Sequence, residues 1–291
     1  MIKIKDIVYR NEYGLKNLPS KKNRVNLEAY PIKNVGDTIG PIVAGWLLDK
    51  KGIDPDKETA GTKHLLSVGS VITFGRFDAV VWGSGIRDND AEKKLKMKKR
   101  VYRRKLDVRA VRGPLTRKAL QNSGYSCPEV YGDPAILMPL IYTPENAEKK
   151  YDISVILHHE TAKNVKTDEK KQKFVLEIND ETVRKNDLHF IDPKTEDHKS
   201  FIDEIAASRL VISSSLHGII FAEAYGVPAV FLNTGVEEQN VKFNDWYLST
   251  GREMIYCKTL EEALAAEAPA LPELDGLREK LIENFPYDMW D

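Results

Sequence analysis

RLVISSSLHGIIFAEAYGVPAVFLN, residues 209–233, decides the fold. It reads as an apolar strand over residues 210–213, a small polar turn at Ser214 and Ser215, a short helix opening near His217 and Gly218, and a second strand over 229–232. Apolar runs of this length, rich in Val and Ile and split by about two helical turns, are the pattern of a β-α-β unit. In such units ligands bind where strands end and helices begin, because a helix N-terminus offers unpaired N–H groups and a partial positive charge. Ser213, Ser214, Ser215, His217 and Gly218 all fall at that point, so a binding site is expected there.

The alternation extends upstream. Residues 151–159 (YDISVILHH) and 188–191 read as strands, with a helix over about 198–207. Residues 64–72 and 78–86 are further short apolar strands, and another is expected near residues 4–9. A helix is predicted over residues 34–52, where Ile39, Ile42, Val43, Trp46 and Leu47 recur at helical spacing, with Asp37 or Thr38 as cap and Gly52 as stop. Residues 106–112 read as a strand, Gly113-Pro114 as a turn, and the helix that follows stops near Gly124. Helical spacing returns at Leu277, Leu281 and Ile282. Strands alternating with helices predict parallel α/β architecture. A polar stretch over 143–150 with Pro144 reads as a linker, giving two α/β halves with a cleft between them.

Composition narrows the function classes. Apolar residues at 42% of 291 support substantial cores, and 44 basic against 44 acidic residues argue against bulk nucleic-acid binding. Cys127 and Cys257 share no spacing motif, which points to a reducing compartment and no zinc site. Residues 1–10 lack the apolar core of a signal peptide and no run approaches about 18 apolar residues, so a soluble cytoplasmic protein is expected, with contact at a membrane surface left open. Nine Lys or Arg lie between Lys93 and Lys105; such a run is commonly a solvated helix face, or else holds a polyanion or an acidic membrane.

Among candidate residues His217 stands first, since an imidazole at a helix start can exchange protons near neutral pH. Arg112, with Arg109 and Arg117 nearby, sits where a strand hands over to a helix and suits a phosphate or carboxylate. Asn34, Gly36 and Asp37 offer a turn with a capping carboxylate. Gly83 and Ser84, with Gly85, would let a backbone approach a ligand closely. Glu223 offers a carboxylate to a sugar or ribose, although six positions from His217 is about 120° off alignment on a helix. Gly132, Asp133 and Pro134 read most simply as a turn, and His64 as structural. His158 and His159 end a strand, and their side chains diverge.

Taken together, NVGD at 34–37, HLLSVGS at 64–70 followed by VVWGSG at 80–85, VRGPLT at 111–116, GDPA at 132–135 and SSSLHGIIFAEAYGVP at 213–228 resemble the polysaccharide pyruvyl transferases. The resemblance implies two Rossmann-like parallel-sheet domains facing a cleft, similar to the glycosyltransferase B fold: residues 1–146 as acceptor side, 147–270 as donor side, and a C-terminal helix in 271–291 returning to the first. It implies transfer of the enolpyruvyl unit of phosphoenolpyruvate, as co-substrate without further cofactor or metal, onto two hydroxyls of a glycan or lipid-linked oligosaccharide. The products are a cyclic pyruvate ketal on galactose or mannose, and phosphate. His217 would be the acid/base, while Arg112, the amides from Ser214 to Gly218 and the turn at Asn34 would bind donor or acceptor. Family members commonly carry Arg two positions before the motif His, where this chain has Ser215. Arg112, Arg209 and Lys163 are then the candidate replacements. Two rival readings stand beside this one. The Glu223 to Pro228 segment resembles the donor site of nucleotide-sugar glycosyltransferases, and the missing Arg suits a glycan-binding relative without activity.

Overall fold

The computed structural model describes residues 21–29, 34–144, 148–158, 180–234 and 240–291; the strand expected at 4–9, His159 and Lys163 lie outside them. The first half runs β1 (Val25–Glu28), α1 (Val35–Lys50), β2 (Lys63–Leu66), β3 (Ala79–Trp82), α2 (Ala91–Tyr102), β4 (Leu106–Ala110), α3 (Pro114–Asn122) and a 3₁₀ helix (Pro134–Leu140). The second half runs β5 (Tyr151–Ile156), α4 (Asp180–Lys185), β6 (His189–Phe190), α5 (His198–Ala206), β7 (Ser208–Ser213), α6 (Leu216–Ala224) and β8 (Ala229–Phe231). Helices α7 (Val241–Ser249), α8 (Leu260–Ala265) and α9 (Asp275–Glu283) follow. Local chemistry accounts for several boundaries. Pro114 opens α3 with φ already set, and Asn34 rather than Asp37 or Thr38 caps α1, its Oδ1 accepting from Gly36 N at 2.9 Å.

The chain forms two four-stranded sheets, ordered β1-β2-β3-β4 and β6-β5-β7-β8, and every pairing is parallel. In the first sheet the strands follow chain order. In the second, the chain leaves β5 for β6 on one side and then crosses to β7 on the other. Such a reversal opens a crevice outside the carboxyl ends of the two strands, because their connections depart in opposite directions. Here that crevice lies after Ile156 and Ser213, at the start of α6.

Two helices that are apolar on nearly all sides hold the halves together. Helix α1 is buried through most of its length until Asp49, and α6 is buried at every residue except His217. Helices of this composition belong in an interior. One apolar cluster accordingly runs from Leu27 and Trp82 through Val43 and Leu47, past Ile136 of the 3₁₀ helix, to Ile219, Phe221 and Val211. Burying each such side chain contributes about 1.5–3 kcal/mol, so the halves share a core as well as a chain crossing. The C-terminal segment touches both halves: Trp82 Nε1 donates to Leu281 O at 2.9 Å and Lys63 Nζ to Met289 O at 2.8 Å in the first, while Arg278 donates to Ala224 O at 3.2 Å in the second. Among the described residues, no helix is long and apolar enough to cross a membrane.

Candidate active site

The end of β7 is tied to the end of β5 by serines. Ser213 Oγ lies 3.1 Å from Ile156 O and accepts from Ser215 N at 3.0 Å, while Ser214 Oγ accepts from His158 N at 2.8 Å. All three serines are therefore buried scaffolding of the switch point. Gly218 has a steric reason: a Cβ there would stand 2.3 Å from Ser213 Oγ. These contacts fix the first turn of α6, and with it the imidazole of His217.

Three elements meet at that imidazole. The ring lies against Gly36 in the first turn of α1, so closely that a Cβ on Gly36 would stand 2.1 Å from Nδ1. Nε2 faces Asp133 Oδ2 at 3.6 Å. Asp133 is wholly buried, and its other oxygen caps the 3₁₀ helix by accepting from Ala135 N at 3.1 Å. Neither Nε2 of His217 nor Oδ2 of Asp133 has a hydrogen-bond partner. Two buried polar atoms left facing each other across a gap are costly in a finished core and useful in a site, since hydrogen bonds of catalytic groups often tighten only when substrate arrives. The structure thus brings Asn34, Gly36, Ser214, Ser215, His217 and Gly218 together. It adds Asp133, which the sequence presented only as a turn. An Asp-Pro pair opening an apolar run is a capping signature, and that was the available signal. The backbone of Asp37 lies in the same first turn of α1, while its side chain lies outside those described.

Four expected ligand contacts have other uses. Gly83 has φ +83°, and a Cβ there would meet Pro134 Cδ at 2.3 Å, so this glycine makes room for the 3₁₀ helix rather than for a ligand. Ser84 is fully buried, its Oγ donating to Gly69 O at 2.9 Å and accepting from Val71 N at 3.2 Å. Arg112 is not open to an incoming anion. Its side chain is fully buried, with NH2 donating to Ile86 O at 2.5 Å, NH1 donating to Ser70 Oγ at 3.1 Å, and Nε 3.4 Å from Asp245 Oδ2. Glu223 faces Arg252 in a two-pronged ion pair of 2.7 and 2.9 Å and accepts from Trp246 Nε1 at 2.8 Å, which leaves it no free edge for a sugar. Nothing local in the sequence announces Asp245 or Arg252 as these partners.

The cation question changes accordingly. Ser215 occupies the cap position of α6 without a side-chain capping bond. Arg209 is the second residue of β7, at the end opposite His217, and pairs with Asp152 at 3.1 Å. Neither it nor Arg112 stands in for the Arg that the resemblance places at Ser215.

Comparison with known proteins decides the family. Residues 49–235 match the model of the polysaccharide pyruvyl transferase family. The chain belongs to that family. The matched region contains Asp133 and His217, and Gly36 precedes it. An uncharacterised protein of Acanthamoeba polyphaga mimivirus is 28% identical over 224 residues, covering 74% of this chain and 70% of its own length. The succinoglycan biosynthesis protein ExoV of Rhizobium meliloti is 30% identical over 146 residues, covering 50% of this chain and 41% of its own length. A functionally uncharacterised protein of Klebsiella pneumoniae aligns structurally over 76% of this chain and 87% of its own, with TM-score 0.45 and 14% identity.

Proposed function

We propose that this pyruvyl transferase family member is a cytoplasmic, phosphoenolpyruvate-dependent, ketal-forming enzyme acting on galactose or mannose of a cell-surface glycan or its lipid-linked precursor. The observation that carries the reading is the unpartnered His217–Asp133 contact at the switch point, braced by Gly36. His217 delivers a proton to the methylene carbon of phosphoenolpyruvate, leaving positive charge on the carbon that bears oxygen. A sugar hydroxyl attacks that carbon, the bond to phosphate breaks, and a second hydroxyl closes the ring. Of the two hydroxyl protons, one replaces that delivered to the new methyl group and the other leaves with phosphate. Asp133 orients the imidazole, as a carboxylate behind a catalytic histidine does. The helix start at α6 supplies N–H donors and a favourable dipole for the donor's anionic groups.

A second reading, a glycan-binding relative without turnover, draws support from Ser215 and from the buried state of Arg112. The nucleotide-sugar reading loses its main support with the pairing of Glu223 to Arg252. One experiment separates them: incubate the protein with phosphoenolpyruvate and a panel of galactosides and mannosides, and follow phosphate release in wild type and His217→Ala. Release that depends on both substrates and falls in the variant supports the enzyme. Glycan binding with no release from any acceptor supports the second reading. Thermal stabilisation by UDP- or GDP-sugars, with none by phosphoenolpyruvate, would revive the third.

A further inference from the structure

The chain carries no net charge, with 44 basic and 44 acidic residues, yet residues 91–105 hold nine Lys or Arg against the single acid Glu92. The structure sorts these cations into two sets. Lys98 and Arg104 are buried and point inward: Lys98 Nζ donates to Thr73 O at 2.6 Å and Gly75 O at 2.8 Å, and Arg104 Nε to Phe77 O at 2.9 Å. With Ala91 and Leu95 they fasten one face of α2 to the first half. The others lie on the outer side, where Lys94 pairs with Asp88 at 3.2 Å, Lys96 with Glu92, and Lys99 donates to the Gly124 carbonyl. Residues 93, 97, 100 and 101 fall within about 100° of one another on a helix, so Lys93, Met97, Arg100 and Val101 form one stripe, and Lys96 borders it. All five are exposed.

The apolar members of the stripe point to its partner. Met97 is 40% and Val101 55% exposed in the middle of the cations. A hydrated polyanion rewards the cations alone. An anionic lipid surface rewards both, since headgroups pair with Lys and Arg while short apolar side chains enter the boundary beneath them.

We propose that the outward face of α2 docks this protein on anionic lipid bilayers, with Lys93, Lys96 and Arg100 over the headgroups and Met97 and Val101 inserted among them. Helix α2 belongs to the half that carries Gly36 and Asp133, and the proposal stands independently of the proposed chemistry.

The test uses the full chain and vesicle sedimentation, with phosphatidylcholine alone or containing about a third phosphatidylglycerol. Anionic vesicles should bind at least about tenfold more tightly, and the difference should shrink at high salt. The double variant Lys93→Glu/Arg100→Glu should lose about tenfold or more of that binding. Met97→Ser with Val101→Ser should weaken it severalfold while salt dependence persists; all four sites are on the surface, and an unchanged melting temperature confirms the fold. Equal binding to both vesicle types, no vesicle binding, or undiminished binding of the charge-reversed variant would overturn the proposal. Capture by heparin without capture by vesicles would overturn it in favour of a polyanionic glycan.

Discussion

His217 Nε2 stands 3.6 Å from Asp133 Oδ2, one on the first turn of α6 and the other at the cap of a 3₁₀ helix in the opposite half. The contact joins the two halves at the only residue of α6 that is not buried. Replacing either group should therefore strike activity more than stability. On the proposed chemistry, His217→Ala should lower kcat for phosphate release by about 10²–10⁴-fold, the usual worth of a positioned acid/base. Asp133→Asn keeps the capping oxygen and should lower kcat by about tenfold or more with little change in KM. Full activity in His217→Ala would remove it from the proposed role.

Gly36 tests the same geometry from the other side. Gly36→Ala places a methyl where the imidazole now lies, 2.1 Å from Nδ1, so either the ring or the first turn of α1 must move. Overpacking of this kind costs about 1–3 kcal/mol. The expected result is a measurable drop in melting temperature together with a loss of activity approaching that of His217→Ala. A variant that folds stably and turns over normally would show that the ring's position is not critical.

Asp245 holds a buried junction between α7 and α3, accepting from Leu115 N at 2.9 Å, Thr116 N at 3.0 Å and Thr116 Oγ1 at 2.6 Å, and facing Arg112. Asp245→Ala strands the Arg112 guanidinium and should cost about 3–5 kcal/mol in urea unfolding. Burial pushes the Asp245 carboxyl above the ordinary carboxylate range, against the pull of Arg112 and the Thr116 hydrogen bonds. The folded protein thus binds this proton more tightly than the unfolded chain. The stability this contributes is full below about pH 3.9, the unfolded value, and is lost as pH rises through the folded one. Relative to Asp245→Asn, wild type should lose stability as pH rises from about 4. A wild type that gains on the variant over that interval would contradict the sign.

Glu223→Gln leaves Arg252 facing a neutral amide in a mostly buried setting, where the Arg side chain is 14% exposed. Removing one member of such a pair costs about 3 kcal/mol or more. Because Glu223 is committed to Arg252 and Trp246, KM for the acceptor should stay put in whatever protein remains folded. A raised acceptor KM at unchanged stability would return Glu223 to the site.

Local pattern carried most of the fold. The strands at β5 and β7, helix α3 between its Pro and its Gly, and the helical spacing of α9 all depend on neighbours a few residues apart, which a sequence displays directly. The serine-rich turn before His217 likewise reads as a strand end meeting a helix start. What side chains face is another matter. Arg112 and Glu223 have the right chemistry for a phosphate and a sugar, but whether a guanidinium or carboxylate meets a ligand depends on what the fold sets opposite it. Here Asp245 and Arg252 take those places, from α7 and the turn that follows it.

By itself, then, the sequence determined parallel α/β architecture, the family, and His217 at the mouth of a β-α-β unit, because periodicity, capping and motif spacing are local properties of the chain. Only the tertiary structure decided that the second sheet reverses between β5 and β7, that α1 and α6 share one core across the halves, and that Asp133 is the group His217 faces. Strand order, burial and opposition of side chains arise from contacts between distant segments, and those exist only once the chain has packed.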